Sequence, residues 1–234
     1  MNSTIIQTMN FNKEKYDEIL AKGLMDGLGD EGNTCIEGAV SLALGEPLNA
    51  FPKCVATELA RIGIQINDYS WADNTVRANA MYKFGLAQLG TRNPSWHTTA
   101  SVMTNFTKKF KSYVITKYIV DLVQRIFSDK ENILKLVDDL TTTEPGDWFN
   151  NLVLVVREDY SLDGVTRVDF RNLHRTFADG TYLNFLNYTQ ELIEKRIPDS
   201  TLSKEYYPRM LLQLAIDTLK DLGHSNEFDS IWKE

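Results

Sequence analysis

Residues 34–47 read TCIEGAVSLALGEP. Thr34 and Glu37 stand three apart, the spacing at which a threonine hydroxyl bonds a first-turn amide while the glutamate reaches back to the threonine amide, so a capping box is expected to open a helix here. The run from Cys35 to about Leu44 is then helical, with Gly45 and Pro47 as its stop.

The same reading extends in both directions. Upstream, a helix starting near Asn12 carries Tyr16, Ile19, Leu20 and Leu24 on one face, and Gly27, Gly29 and Gly32 end it. Downstream, Pro52 sits where a helix can begin, and Val55, Leu59, Ile62 and Ile66 recur on one face until Asn67 and Asp68 break the pattern. Ser70-Trp71-Ala72-Asp73 offers a further cap for a helix ending at Gly90. Asn93 and Pro94, as cap and first helical residue, open a long helix to about Phe127 with room for an interruption. Another capped helix is expected from Ser128 to Leu140.

The run Thr141 to Asp147, TTTEPGD, reads as a linker or domain edge. Beyond it the period changes. Leu152 to Val156 is continuously apolar and rich in β-branched residues, Asp163-Gly164 is a turn signal, and Val165 to Phe170 alternates weakly, which together predict a small hairpin. Helices over Phe170 to Ala178, Tyr182 to Arg196 and Tyr206 to Leu222 follow, with Gly223 as the last stop. The expected fold is mainly α, a multi-helix globular fold with one small β-hairpin in the C-terminal half. Residues 1–140 form a helical N-terminal region and 141–234 a hairpin plus helices, either separate or packed as one continuous domain. The sequence has no internal repeat and no low-complexity segment.

Composition narrows the functional classes. The 234 residues are 43% hydrophobic and 24% charged, an ordinary folded composition. A net charge of −7 argues against general binding to a phosphate backbone, and is too weak for a mimic of DNA charge. The N-terminal residues lack the basic and apolar regions of a secretory signal, and no stretch approaches the roughly 20 apolar residues of a membrane span. With two cysteines there is no disulfide framework. A cytoplasmic protein that does not engage membranes is expected.

Cys35 is the first candidate for chemistry. In a first helical turn, backbone N–H groups and the helix dipole favour a thiolate. Papain-like hydrolases place their cysteine similarly, and His97 or His174 would supply the base. The competing reading is a small buried hydrophobe. Cys35 and Cys54 are 19 positions apart, and with only His97, His174 and His224 elsewhere the paired ligand spacing of a structural zinc site is missing. No metal or cofactor is expected.

Three further patterns point to chemistry and then fall short. Asp159, Ser161, Asp163, Gly164 and Asp169 resemble part of a calcium loop, yet the twelfth position is Phe170 where a bidentate glutamate belongs. Phe106, Phe110 and Tyr113 alternate with Lys108, Lys109 and Lys111, a mixture seen in single-strand binders, but helical geometry puts the rings on one face and the lysines around the other. Trp71, Trp96, Trp148 and Trp232 suit either interface anchors or a helical core. The phosphate-cradling glycine motifs, the nucleophile elbow and the zinc-protease motif are absent from the sequence.

The segments CIEGAVSLALGEPLNAFPKCV (35–55), IQINDYSW (64–71) and FGLAQLGT (84–91) resemble uncharacterised proteins of bacteria and their phages. The resemblance spans about a quarter of the chain. It implies a small helical module in which Cys35, Glu37, Gly45, Pro47, Pro52, Cys54, Asn67, Asp68 and Trp71 recur, working in a phage or bacterial cytoplasm. In that group an acidic or histidine-containing turn often precedes the second cysteine. Here Asn49-Ala50-Phe51 stands in its place, which weakens a metal or acid–base role. Two functions are carried forward. One is a non-enzymatic protein-interaction protein, a binder or inhibitor associated with phage, whose partner is a host or phage protein. The other is a thiol-dependent hydrolase or transferase using Cys35 with His97 as base. A structural virion component is a third possibility.

Overall fold

The computed structural model describes residues 10–92, 96–140, 142–159 and 161–224, with backbone alone over 96–100. It is mainly helical. The chain divides into two compact units, Met1–Lys108 with Leu212–Glu234, and Lys109–Leu211.

The first unit is organised around a short buried helix. α1 is Lys13–Ala21, begun by Asn12, whose Oδ1 accepts from the Lys15 amide at 3.0 Å. Two antiparallel strands of two residues each, β1 Gly29–Asp30 and β2 Asn33–Thr34, make a hairpin in which Gly29 pairs with Thr34. α2, Ile36–Ala43, is buried along its whole length and packs against α1, α3 (Thr57–Asn67) and α4 (Asn74–Ala87). A helix whose side chains are apolar but for two sits in an interior, and here Glu37 and Ser41 are buried with the rest. Gly45, at φ +72°, turns the chain away from it in the left-handed conformation that glycine adopts without steric cost. α5, Trp96–Tyr113, starts in this unit.

The second unit begins within α5. That helix runs into a π-helical segment, Val114–Ile119, and on into α6, Val120–Ile126, so the helix expected to reach Phe127 with an interruption does so. α7 (Glu131–Asp139), α8 (Pro145–Glu158), α9 (Gly164–Ala178) and α10 (Tyr182–Arg196) follow, and α11, Tyr206–Asp221, starts here. The core is aromatic. Phe149 meets Phe170 edge-on with centroids 6.2 Å apart and Phe177 at 5.7 Å, while Tyr118 lies between Phe185 at 4.9 Å and Tyr207 at 4.7 Å. Residues 142–144 join α7 to α8 inside this unit, and Pro145 occupies the first turn of α8.

Several expectations are corrected. The hairpin lies at residues 29–34, in the N-terminal half; Leu152 to Val156 belongs to α8 and Val165 to Phe170 to α9. The apolar run is helical because Trp148, Phe149, Leu152 and Val156 share one buried face at spacings of three and four, which outweighs the strand preference of its valines. Asp163-Gly164 is a helix start: the Asp163 carboxylate accepts from the Thr166 amide at 2.7 Å. Thr34 is no cap either, since it is the last residue of β2 and its hydroxyl donates to Leu28 O at 2.6 Å. Cys35 takes the cap position, its Sγ accepting from the Gly38 amide at 3.5 Å. α3 begins at Thr57 instead of near Pro52, and Asp73, not Ser70, caps α4 with two bonds of 2.8 Å. α7 starts at Glu131 with no side-chain cap, so Ser128 does not serve. The Asn93-Pro94 start lies outside the described residues.

Candidate functional site

The densest polar cluster in the first unit surrounds the N-terminus of α2. Glu37, in the first turn of that helix, is fully buried, and Gln88 at the end of α4 donates from Nε2 to both its carboxyl oxygens at 3.0 and 3.1 Å. Gly63 of α3 makes room for the carboxyl: a Cβ there would overlap it and come within 2.8 Å of the Phe84 ring. Burial holds the Glu37 carboxyl well above the usual carboxylate range, opposed only by the Gln88 hydrogen bond.

Asn67 closes the other side of the cluster. Its Oδ1 accepts from the Ile36 amide at 3.2 Å, satisfying one of the free N–H groups at the start of α2. Its Nδ2 donates to Met25 O at 2.7 Å and to Asp68 Oδ1 at 3.2 Å, and Asp68 in turn accepts from the Gly27 amide at 2.9 Å. Arg77 adds a further stitch, donating to Leu24 O at 2.8 Å. Trp71 is buried and its indole N–H donates to Ile66 O at 2.9 Å. These bonds fasten the irregular segment between α1 and β1 onto α3 and α4.

Of the two thiols, one is interior and one half-buried. Cys35 is 2% exposed, and burial pushes its thiol up more strongly than the Gly38 N–H lowers it. Cys54 is half-buried, and burial raises it likewise, against a bond from the Gly90 N–H. The segment carrying Cys54 is tied to the end of α4, where the Ala56 amide donates to Thr91 Oγ1 at 2.9 Å and the Arg92 amide to Cys54 O at 3.0 Å. His97 lies in α5 and its side chain is outside the described residues. His224 shares a hydrogen bond with Leu89 O at 3.0 Å. His174, on α9, shares one with Asn150 Oδ1 at 2.9 Å and stands edge-on to Phe149, and burial lowers its pKa.

The carboxylates that resemble a calcium loop are employed elsewhere. Asp159 accepts from the Ser161 amide at 2.9 Å, Asp163 caps α9, and Asp169 is buried and paired with Lys195 of α10. Among the described residues, no group of three His, Cys, Asp or Glu side chains is placed to hold a metal ion. None of the helices described is long and apolar enough to cross a membrane. Phe106 and Phe110 are buried and Lys108 points to solvent, as expected for two faces of α5, but Tyr113 is only half-buried, Lys109 lies over its ring at 5.8 Å, and half-buried Lys111 donates to Ala178 O at 2.9 Å, so the expected separation of rings and lysines is incomplete. Trp71 and Trp148 are core residues, and Trp148 donates to Leu136 O.

Reading the sequence missed Gln88 and the part played by Asn67. The burial of Gln88 was open to detection. Ala78, Met81, Phe84 and Gln88 recur at spacings of three and four, so Gln88 prolongs the buried stripe of α4. Glu37 likewise interrupts an apolar run, and a polar residue at a core position calls for a partner, though which one depends on the packing of α2 against α4. No known protein family matches the chain, and no curated protein or solved structure matches it either.

Proposed function

We propose that this is a non-enzymatic protein-binding protein of a bacterial or phage-infected cytoplasm, acting as a binder or inhibitor of a host or phage protein. The observation that carries the reading is on the second unit: Leu154 of α8 and Val165 and Val168 of α9 are 46%, 55% and 43% exposed, outside the buried stripes of two helices that pack together. Exposed apolar side chains on two neighbouring helices are the kind of surface that a partner's apolar side chains can cover. The interior position of Cys35 and its raised thiol pKa support this reading over a thiol-dependent hydrolase or transferase.

The test is capture from a bacterial lysate on immobilised wild type, Leu154→Lys and Val165→Lys/Val168→Lys, with the retained protein identified by mass spectrometry and its affinity then measured in purified form. Retention by wild type and loss in the variants, at unchanged melting temperature, is expected. Equal retention by all three removes this surface from the account.

A further inference from the structure

We propose that Glu37 is held as a neutral carboxylic acid paired with the Gln88 amide, and that this pair makes the N-terminal unit a latch that loosens as pH rises. The geometry starts from the hydrogen-bond inventory. With its nitrogen toward both carboxyl oxygens, Gln88 leaves its own side-chain oxygen buried without a partner. A buried acceptor in that state costs free energy, and a buried carboxylate with one neutral amide for company costs more. A neutral acid removes both problems. After a rotation of the Gln88 amide, one Glu37 oxygen accepts from Nε2 while the other, carrying the proton, donates to Oε1, so every polar atom of the pair is used.

The groups facing Glu37 favour the neutral form. From α1 comes Tyr16, buried, with its hydroxyl donating to Tyr82 O at 3.0 Å. α2 contributes the Cys35 thiol, and the connection to α3 contributes Cys54, with Glu46 beside it. α3 brings Gly63, which has no side chain, and turns its charged Glu58 and Arg61 to solvent, while Asp68 at its end is engaged with Gly27 and Asn67. α4 brings Gln88 and Phe84, sends Lys83 to solvent and commits Arg77 to Leu24 O and Asn74. None of these supplies a cation to Glu37, and each chargeable neighbour that feels its field, Tyr16, Cys35 and Cys54, would add negative charge on ionising.

The sign of the pH effect follows from linkage. Glu37 in the unfolded chain ionises near the ordinary value of about 4.3, whereas in the folded unit it keeps its proton to higher pH. Below the unfolded value the proton is bound in both states and the pair contributes fully. Above it the unfolded state alone loses the proton, so the folding equilibrium falls about tenfold per pH unit until the folded value is passed, and then levels.

The experiment uses the full chain. Urea unfolding of wild type and Glu37→Gln is measured at intervals between about pH 5 and 8. The substitution leaves an amide pair of the same shape that cannot titrate, so the ratio of the two folding constants isolates Glu37. Expected is a wild-type constant that falls relative to the variant, approaching about tenfold per pH unit over the first part of the range. A ratio independent of pH overturns the proposal. Should Glu37→Gln not fold, carbon-13 spectra of wild type labelled at glutamate decide. One carboxyl resonance still at the protonated position at neutral pH is expected, and a full set of ionised carboxylates refutes the latch.

Discussion

Asn67 of α3 caps α2 from the outside, its Oδ1 accepting the Ile36 amide hydrogen at 3.2 Å while its Nδ2 holds Met25 O at 2.7 Å. One fully buried side chain therefore satisfies two backbone groups on separate segments. Asn67→Ala strands the buried Ile36 amide and removes the donor to half-buried Met25, and is expected to cost about 1–3 kcal/mol. Asn67→Asp keeps the acceptor but turns an oxygen toward Met25 O and the Asp68 carboxylate, so at neutral pH it should be no more stable than the alanine variant. Urea unfolding of the three proteins checks the order, and an alanine variant as stable as wild type would contradict the cap.

At Gly63, α3 passes so close to the Glu37 carboxyl that a side chain would collide with it. Gly63→Ala would raise helix propensity at an exposed site, yet here the added methyl overlaps the carboxyl and crowds Phe84. A net loss of about 1–3 kcal/mol is expected, the usual range for overpacking a core. A melting temperature equal to or above wild type would show that the helices have room to part.

Asp163 begins α9, and the bonds from the Thr166 hydroxyl and amide hold its carboxyl below the usual range. A depressed folded pKa contributes stability above the unfolded value near 4 and loses it as pH falls through the folded value. Asp163→Ala should therefore destabilise the second unit by about 0.5–2 kcal/mol at neutral pH. The difference from wild type should shrink in acid, which thermal melts at several pH values will show.

Calcium is expected to leave those melts unchanged. Asp163 is committed to its cap, Asp169 faces Lys195, and Phe170 is wholly buried where a coordinating glutamate would have to stand. Titration calorimetry at millimolar calcium gives the answer, and a saturable heat lost in Asp163→Ala would reverse this reading.

The helices were legible wherever an apolar stripe and a stop coincided. Tyr182 to Arg196 matches α10 at both ends, and Gly45 and Gly223 stop their helices with positive φ. Strands were misread because continuous valines and leucines at 152–156 carry no periodicity of their own; only the aromatic residues before them, Trp148 and Phe149, reveal the helical face. The two-residue strands at 29–34 are too short to leave any alternation. Starts were misplaced by one to five residues because Thr34, Ser70 and Pro52 are suitable residue types that the fold uses otherwise: Thr34 closes the hairpin and leaves the cap to Cys35, Asp73 itself bonds the Thr75 and Val76 amides, and α3 begins after Ala56, whose amide donates to Thr91. Of the interior cluster, Cys35 and Glu37 were singled out by their place at a helix start. That Glu37 turns inward to Gln88 follows from the packing of α2 between α3 and α4, a relation across 51 positions that local patterns do not contain.

The central claim is that the thiol and acid at the head of α2 are interior, structural parts of the first unit, and alkylation of Cys35 tests it most directly. The full chain is treated with iodoacetamide at neutral pH, and the labelling of Cys35 and of half-buried Cys54 is followed separately by peptide mass spectrometry. The account expects Cys35 to react no faster than the first unit opens, with urea abolishing the protection. Rapid labelling of Cys35 in the folded protein, with an apparent pKa below that of a free thiol, would contradict it and return Cys35 to the role of nucleophile.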